Sequence, residues 1–385
     1  MVRAAVSLLL MAVSGFATER LSVRDVDIAA PDGVVLKATS YISNRPGPAV
    51  LLLHMCNSNR RAWDTVGRQL GTVGVHALAV DYRGFGESGG EGFEQDPQKA
   101  QQTRDQVWPG DMDAVLGYLV RQPGVDKARI GVAGASCGVN QAVQLARRHA
   151  DVKSLVLLAG DTNRDGLNFL QNAAWLPLFT SAAADDQFDQ NAPKSMQWLT
   201  ALSGNPRNRF VGFARGKHGT EMFDLHPELP RQIVAWYVAT LVKEPAHPNR
   251  VPVVKKTPAW ELWRALNEDG VERAVRMFHE ARRHDSMAYL FPEGVMNQLV
   301  YERIQAGRAK DAIELCRLWV EAYSASANAY DSLGDAYLAD GQKELALQAS
   351  ERALVLLPDD PVAEPYKTMI RENAQRKVTE LKGRR

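Results

Sequence analysis

"RIGVAGASCGVN", residues 129–140, is the stretch that decides the fold. Small and apolar residues lead up to Ser136, which stands between Gly134 and Gly138, and "VNQAVQLARR" then continues at helical spacing. This order of strand, sharp turn and helix places either the Ser136 hydroxyl or the Cys137 thiol at the carboxyl end of a buried strand. The stretch therefore predicts an α/β fold with a nucleophile at the turn.

The composition of the chain excludes several classes of function. Its 385 residues suffice for two domains, and 24% charged with 45% hydrophobic residues is ordinary for globular proteins. A net charge of +1 gives no reason to expect nucleic-acid binding. Cys56, Cys137 and Cys316 show no metal-binding spacing and are too few for a disulfide framework. We therefore expect neither a metal nor a cofactor.

The first twenty residues have the layout of a secretory signal peptide. Arg3 precedes an apolar run from Ala4 to Val13, and Gly15 and Ala17 fit the −3 and −1 positions of a cleavage site. We expect residues 1–17 to be a signal peptide that sends the protein to the periplasm or the medium. The alternative is a buried N-terminal helix in a cytoplasmic protein. No segment is long and apolar enough to predict a membrane span.

Strands and helices alternate over residues 18–242, the predicted catalytic domain. Two amphipathic runs predict a solvated hairpin that turns at residues 31–33, and the later runs are continuously apolar, as in strands covered on both faces. Helical segments separate most of these runs. The order predicts a three-layer α/β/α architecture with a mostly parallel sheet. The predicted strands are "LSVRDVDIAA", "GVVLKATSYI", "AVLLLHMC", "VHALAVDYR", "RIGVAGAS", "KSLVLLAGD", "LPLFTSAA" and "RFVGFARG".

A linker and a helical region follow. Four prolines in residues 243–258, "KEPAHPNRVPVVKKTP", predict a stiff linker. Residues 259–385 have helical patterning with a 34-residue period, most evident in residues 293–326 and 327–360. The second copy resembles the tetratricopeptide repeat. The residues that carry this resemblance are Tyr330, Leu333, Gly334, Tyr337, Ala346, Ala353 and Pro358.

The resemblance to tetratricopeptide repeats implies an all-α domain that contacts a protein or peptide partner or a second copy of the chain. Two good copies are fewer than the three that such repeats need to stand alone. A structural extension that packs on the catalytic domain is the alternative.

Three segments of residues 21–242 resemble the α/β-hydrolase family. "GASCG", residues 134–138, matches its nucleophile elbow, and "DYRGFGESGG", residues 81–90, matches its D-x-R-G-x-G-x-S loop. "LLLHMCNS", residues 51–58, corresponds to its His-Gly oxyanion segment, with Met55 in place of glycine. The resemblance implies an oxyanion hole made by the backbone N–H of Met55 or Cys56 and by that of Cys137.

The family's chain order of Ser, then Asp or Glu, then His implies the remaining catalytic residues. His218 follows the last predicted strand and is the expected base, with His226 as a rival. His54 is expected to be structural. The predicted catalytic residues are therefore Ser136, Asp186 and His218.

The acid has two alternatives, because strand ends are uncertain by a residue or more. Asp185 is the immediate neighbour of Asp186, and Asp161 follows the preceding strand.

Two questions concern the cysteines. Dienelactone hydrolases, which the chain resembles in lacking a large cap, use an elbow cysteine. Around Cys137, however, the flanking residues would be Ala135 and Val139, and valine fits poorly beside a strained turn. Ser136 is therefore the preferred nucleophile.

Cys56 and Cys137 end strands that the family places side by side. We expect two unpaired buried thiols, the alternative being a disulfide that constricts the oxyanion hole.

The expected activity is that of a carboxylesterase, which cleaves small-molecule esters through an acyl-enzyme. A short connection before "LPLFTSAA" predicts an open site without a cap. Four aromatic residues are predicted to line an acyl pocket, and the alternative for each is an ordinary core position. A peptidase or amidase with the same triad, and a non-catalytic protein that acts through its repeats, are the other functions considered. The four aromatic residues are Trp63, Phe85, Trp175 and Phe188.

Overall fold

The computed structural model describes residues 21–92, 97–189, 191–244 and 253–383. The predicted signal peptide, residues 1–17, lies outside these ranges, as do residues 245–252 of the predicted linker.

One eight-stranded sheet forms the centre of the first domain, in the order β1-β2-β4-β3-β5-β6-β7-β8. β1 pairs with β2 and β2 with β4 in antiparallel fashion, and all other neighbours are parallel. All eight predicted strands are present. They are β1 (Ser22–Ala29), β2 (Val35–Ile42), β3 (Gly47–Leu53), β4 (His76–Val80), β5 (Val125–Ala135), β6 (Val152–Leu158), β7 (Leu178–Ala183) and β8 (Arg209–Phe213).

Helices cover both faces of this sheet, which confirms the predicted three-layer α/β/α architecture. β3, β4 and β7 are buried along their whole length, because helices pack above and below them. Core residues of α1 and α8 pack on one face, and those of α3 to α6 on the other. The helices are α1 (Asp64–Thr72), α2 (Pro97–Gln102), α3 (Trp108–Val120), α4 (Cys137–Arg148), α5 (Arg164–Asn172), α6 (Ala192–Ser203), α7 (Met222–Leu225) and α8 (Glu228–Tyr237).

Within the described residues 253–383, seven further helices make up the C-terminal region. Two consecutive helix pairs have equal lengths and are displaced by 34 residues, with Gly307 (φ 70°) and Gly341 (φ 77°) at equivalent left-handed turns. Among the helices described, none is both long and apolar enough to cross a bilayer. The helices are α9 (Pro258–Arg264), α10 (Val271–His284), α11 (Glu293–Gln305), α12 (Ala309–Ala322), α13 (Ala327–Ala339), α14 (Lys343–Leu356) and α15 (Glu364–Lys382).

The helical region packs against the first domain through α5 and α6. Its contact residue Trp263 is only 1% exposed, and its indole N–H donates to Asn168 Oδ1 (2.9 Å). The ring of Trp263 meets that of Trp198 edge-on, with centroids 6.3 Å apart. One hydrophobic cluster runs from the α/β domain into the helical region without interruption. The two parts therefore share a core.

Replacing Trp263 with alanine is expected to lower the free energy of unfolding by about 3–5 kcal/mol, because it empties a large buried site in this shared core. Urea unfolding followed by circular dichroism measures the change. The matched control is Val253→Ala, since Val253 is 88% exposed, and its cost should stay within about 0.5 kcal/mol. Equal stability of the two variants would show that the contacts of Trp263 do not stabilise the shared core.

Candidate active site

The turn between β5 and α4 holds Ser136 in a strained backbone conformation, with φ 53° and ψ −122°. Glycines flank it because the chain passes very close to itself there. A Cβ on Gly134 would lie 2.1 Å from the backbone oxygen of Gly138. A Cβ on Gly138 would lie 2.7 Å from the carbonyl oxygen of Leu53. The spacing of the motif thus follows from packing, and it presents the Ser136 hydroxyl above the end of the sheet.

His54 holds the segment that follows β3. It is fully buried, and burial lowers its pKa to about 4, so the ring is neutral at pH 7. The backbone N–H of Tyr82 donates to Nε2 (3.1 Å), so Nδ1 carries the proton and donates to the Met55 carbonyl (2.7 Å). This agrees with the structural role expected for His54, which orients the peptide group that joins Met55 to Cys56.

Met55 fills space where the family has glycine. Its side chain is 5% exposed and lies beneath the loop that carries His218, with Sδ accepting from Thr220 Oγ1 (3.8 Å). Among the described residues, none accepts a hydrogen bond from the backbone N–H of Cys56 or of Cys137. The N–H of Cys137 is unpaired because it belongs to the first turn of α4. These two donors border the Ser136 site.

The D-x-R-G loop acts as a scaffold. Asp81 is fully buried and accepts from the backbone N–H groups of Arg60 (2.6 Å) and Glu87 (3.0 Å), and it also pairs with the Arg60 guanidinium. Arg83 bonds Asp111 through Nε (2.9 Å) and Nη2 (2.8 Å). These buried ion pairs fix the loop after β4 beside the oxyanion segment, and they involve no group at the cavity.

His218 and Asp186 form a buried pair. His218 Nδ1 donates to Asp186 Oδ2 (2.7 Å), and the two residues are 7% and 2% exposed. The other carboxylate oxygen, Oδ1, accepts from the backbone N–H groups of Phe188 (2.8 Å) and Asp189 (3.1 Å). Three donors therefore orient the carboxylate, which in turn fixes the imidazole with Nε2 as the unprotonated nitrogen.

The alternative residues have other partners. Asp185 Oδ1 accepts from the N–H groups of Lys217 (2.9 Å) and Gly216 (2.6 Å), which lower the pKa of Asp185. Asp185 therefore ties down the backbone just before His218 rather than its ring. His226 stacks on Phe213 at a centroid distance of 3.7 Å and donates through Nε2 to the Arg215 carbonyl (2.6 Å).

A cavity of about 750 Å³ connects these groups. Ser136, His218 and Asp186 line it, together with Cys56 and Cys137. In the described part of the chain the Ser136 hydroxyl makes no hydrogen bond, so it can rotate toward an approaching group.

The cavity is less open than the short connection between β6 and β7 suggests. No cap is inserted there, as predicted, because the connection contains only α5. The C-terminal helical region nevertheless contributes part of the cavity lining. The predicted absence of a cap is confirmed, but residues more than 150 positions beyond the elbow also border the site.

The structure also corrects three of the four predicted substrate-binding aromatics. Phe188 lines the cavity and meets the His218 ring edge-on at 4.8 Å. Trp63 is fully buried against Phe223, on the face of the sheet that α1 and α8 cover. Phe85 packs on His54 and Trp108, and Trp175 packs on Phe169, all away from the cavity lining. These three stabilise the core.

A disulfide joins Cys56 to Cys137, with their Cα atoms 5.8 Å apart. The expectation of two unpaired thiols is therefore wrong. The cysteines meet because β3 and β5 are parallel neighbours whose carboxyl ends coincide. The bond ties together the two residues whose N–H groups border the Ser136 site. Cys316 is free and fully buried in α12, and burial raises the pKa of its thiol.

Losing this disulfide is expected to lower the free energy of unfolding by about 2–4 kcal/mol, because the bond closes a long loop in the unfolded chain. The cysteines are 81 positions apart. Urea unfolding with and without a reductant measures the effect, and the double variant Cys56→Ala, Cys137→Ala should not respond to the reductant. Titration of the unfolded protein should find one thiol before reduction and three after it. Three thiols before reduction would rule out the bond.

The cavity residues that sequence reasoning missed include two groups that differ in their distance from the elbow along the chain. Asn140 and Gln141 lie on α4 one turn after Ser136. Their position close to the elbow in the sequence could therefore have identified them as cavity residues. Pro292, Gly294 and Val295 carry no local signal of this kind, because only the packing of the helical region brings them to the cavity.

Residues 44–203 match the family described as Serine aminopeptidase, S33. A curated relative, an uncharacterized 31.7 kDa protein of Escherichia coli from the traX-finO intergenic region, is 29% identical over 126 residues. The matched segment is 32% of this chain and 41% of that protein, so this chain spans less than half the length of the relative.

Solved structures with similar folds include an esterase of Pyrococcus furiosus, with a TM-score of 0.47 and 20% identity over 57% of this chain and 94% of that one. A dienelactone hydrolase of Anabaena variabilis has a TM-score of 0.44 and 18% identity over 57% and 99%. A puromycin-hydrolyzing peptidase of Mycobacterium tuberculosis has a TM-score of 0.47 and 16% identity over 63% and 43%. The strand order and the elbow at Ser136 are those of the α/β-hydrolase fold, and the match over residues 44–203 agrees with this fold.

Proposed function

We propose that this protein is a serine hydrolase that cleaves carboxylic esters through an acyl-enzyme. The observation that carries the proposal is the buried His218–Asp186 pair, which shares one cavity with a serine held at a strained elbow. The pair leaves His218 Nε2 unprotonated, as a general base requires. A protein that acted only through its helical region would have no need of this arrangement.

In the proposed acylation, His218 Nε2 takes the proton of the Ser136 hydroxyl while Oγ attacks the ester carbonyl carbon. The carbonyl oxygen becomes an oxyanion, which accepts hydrogen bonds from the backbone N–H groups of Cys56 and Cys137. Asp186 stabilises the imidazolium that forms and keeps its orientation. The tetrahedral intermediate then collapses, and His218 returns the proton to the departing alcohol.

In the proposed deacylation, a water molecule takes the place of the alcohol. His218 removes a proton from this water, whose oxygen attacks the acyl carbon and forms a second oxyanion in the same hole. Collapse of this intermediate releases the carboxylic acid, and Ser136 recovers its proton from His218. The cycle needs no group beyond the residues named.

A second candidate is a peptidase or amidase. The family that matches residues 44–203 is described as a serine aminopeptidase, and the same three residues would attack an amide carbonyl. The two reactions differ in the leaving group, because an amine is a much poorer leaving group than an alcohol and depends more strongly on the proton that His218 supplies.

The test compares an ester and an amide with the same acyl group, 4-nitrophenyl acetate and 4-nitroacetanilide, after fluorophosphonate labelling of the full-length chain. We expect covalent labelling and a kcat/KM that is greater for the ester. Labelling with turnover of the amide alone would favour the peptidase. If the chain is not labelled and turns over neither compound, the proposed hydrolase function is rejected and a function in the helical region is favoured.

We also propose that the protein is exported, and that its helical region is a tetratricopeptide-like repeat. The layout of residues 1–17 and the disulfide support export, because disulfides persist in oxidising compartments. The 34-residue displacement of two equal helix pairs supports the repeat. Fractionation of cells that produce a C-terminally tagged chain tests export, and tagged protein confined to the cytoplasm would contradict it.

A further inference from the structure

One side of the cavity beside Ser136 is built by α11. Pro292, Gly294, Val295 and Gln298, all at or near the start of this helix, line the cavity. We call these four residues the α11 wall. In many enzymes an inserted segment closes the site, but here the connection between β6 and β7 contains only the nine-residue α5. The chain's C-terminal region therefore takes the position that an inserted cap would hold.

The α11 wall is held in place at both ends of its helix. Just before α11, the Leu290 carbonyl accepts from the indole N–H of Trp198 (2.8 Å), a residue of α6 that is 4% exposed. Near the end of α11, Glu302 pairs with Arg164 of α5 (2.6 Å). Since α5 and α6 also border the cavity, the wall and the nucleophile belong to one packed unit. Groups placed on fixed helices keep a constant distance from the reacting atoms.

At Gly294 the cavity extends to the backbone of α11. A Cβ added there would meet no atom within 4 Å, and the residue is exposed. A larger side chain at this position would therefore occupy cavity space without displacing its neighbours. Gln298 stands one turn further along the same helix and already fills part of that space.

Another part of the cavity lining is polar. Asn140, Gln141 and Thr162 line it, and Gln141 is only 2% exposed. Its Nε2 donates to the Arg104 carbonyl (3.0 Å), while its Oε1 has no hydrogen-bond partner among the described residues. A buried acceptor without a partner is costly unless a ligand supplies the donor.

From these contacts we infer that the α11 wall determines substrate specificity, and this inference rests on the proposed esterase function. Gly294 and Gln298 set the size of the group that fits beside Ser136. Gln141 Oε1 accepts a hydrogen bond from that group. The substrates are therefore compact esters whose acyl or alcohol part carries a hydroxyl or amide N–H, rather than esters of long alkyl chains.

The size part of the inference is tested with full-length variants. The measured quantity is the ratio of kcat/KM for 4-nitrophenyl benzoate to that for 4-nitrophenyl acetate. Gly294→Phe should lower this ratio about tenfold, because the ring fills the space that benzoate needs. Gln298→Ala should raise it, which a misfolded variant would not do. Gln305→Phe, at the exposed end of the same helix, is the matched control and should leave the ratio unchanged.

The polar part is tested with 4-nitrophenyl 3-hydroxybutyrate against 4-nitrophenyl butyrate. The hydroxylated ester should have the larger kcat/KM in the wild-type enzyme, and Gln141→Leu should remove this preference. If the wild-type enzyme turns over these esters but the Gly294, Gln298 and Gln141 variants keep its ratios, the inference is overturned. If the wild-type enzyme turns over no ester and is not labelled by a fluorophosphonate, the proposed function itself has failed.

Discussion

Replacing Ser136 with alanine is expected to lower kcat for 4-nitrophenyl acetate by about 10⁶-fold, because the attacking oxygen is lost while the site around it stays intact. A positive φ of 53°, as found at this position, costs alanine and serine similar conformational energy. The backbone conformation of the elbow should therefore not change. Steady-state kinetics on the purified chain, with fluorophosphonate labelling of the same samples, measures the effect. Labelling should disappear together with turnover.

The matched control for this substitution is Cys137→Ala, one position along the chain. It removes the neighbouring sulfur and the disulfide but retains the backbone N–H that we assign to the oxyanion hole. Its effect on kcat should stay well below the about 10²-fold cost of losing an oxyanion donor. If Cys137→Ala abolishes labelling while Ser136→Ala preserves it, the nucleophile is a thiolate and the proposed mechanism is wrong.

Asp186→Asn is expected to lower kcat by about 10⁴-fold. In the native protein Oδ1 accepts from the N–H groups of Phe188 and Asp189, while Oδ2 accepts from His218 Nδ1. An asparagine would keep its oxygen toward those two N–H groups and turn its NH₂ toward His218. The imidazole would then have to accept at Nδ1 and carry its proton on Nε2, so it could no longer take the Ser136 proton. Kinetics with 4-nitrophenyl acetate measures the loss.

Asp185→Asn is the matched control for this second prediction. The side chain keeps an oxygen for the N–H groups of Gly216 and Lys217, so the loop before His218 should hold its conformation. We expect a decrease in kcat of less than about tenfold, far smaller than the tautomer effect. The assignment of the acid would have to be reversed if Asp185→Asn proved the more damaging of the two.

The sequence predicted much of the fold, for local reasons. Continuous apolar runs identified the buried strands, and two amphipathic runs identified the hairpin at the edge of the sheet. The glycines on either side of Ser136 were informative because a Cβ at either position would collide with a backbone oxygen. Residues with such strict steric or burial requirements are recognisable without their neighbours in space.

The sequence favoured Asp186 over Asp185 only through the resemblance to the family, because adjacent residues in a turn point in different directions and no local pattern indicates which one faces the histidine. The structure places the carboxylate of Asp186 against His218 and that of Asp185 against loop backbone. The disulfide is a similar case, since the contact between Cys56 and Cys137 depends on the pairing of β3 with β5.

The sequence by itself determined the order of strands and helices and the elbow at Ser136. Each of these depends on hydrophobic periodicity or on steric limits within a few neighbouring positions. Only the tertiary structure decided which aromatics reach the cavity and that α11 forms one of its sides. Those features depend on how a second domain packs on the first. The contacts between the two domains join residues far apart in the chain, so no local sequence pattern indicates them.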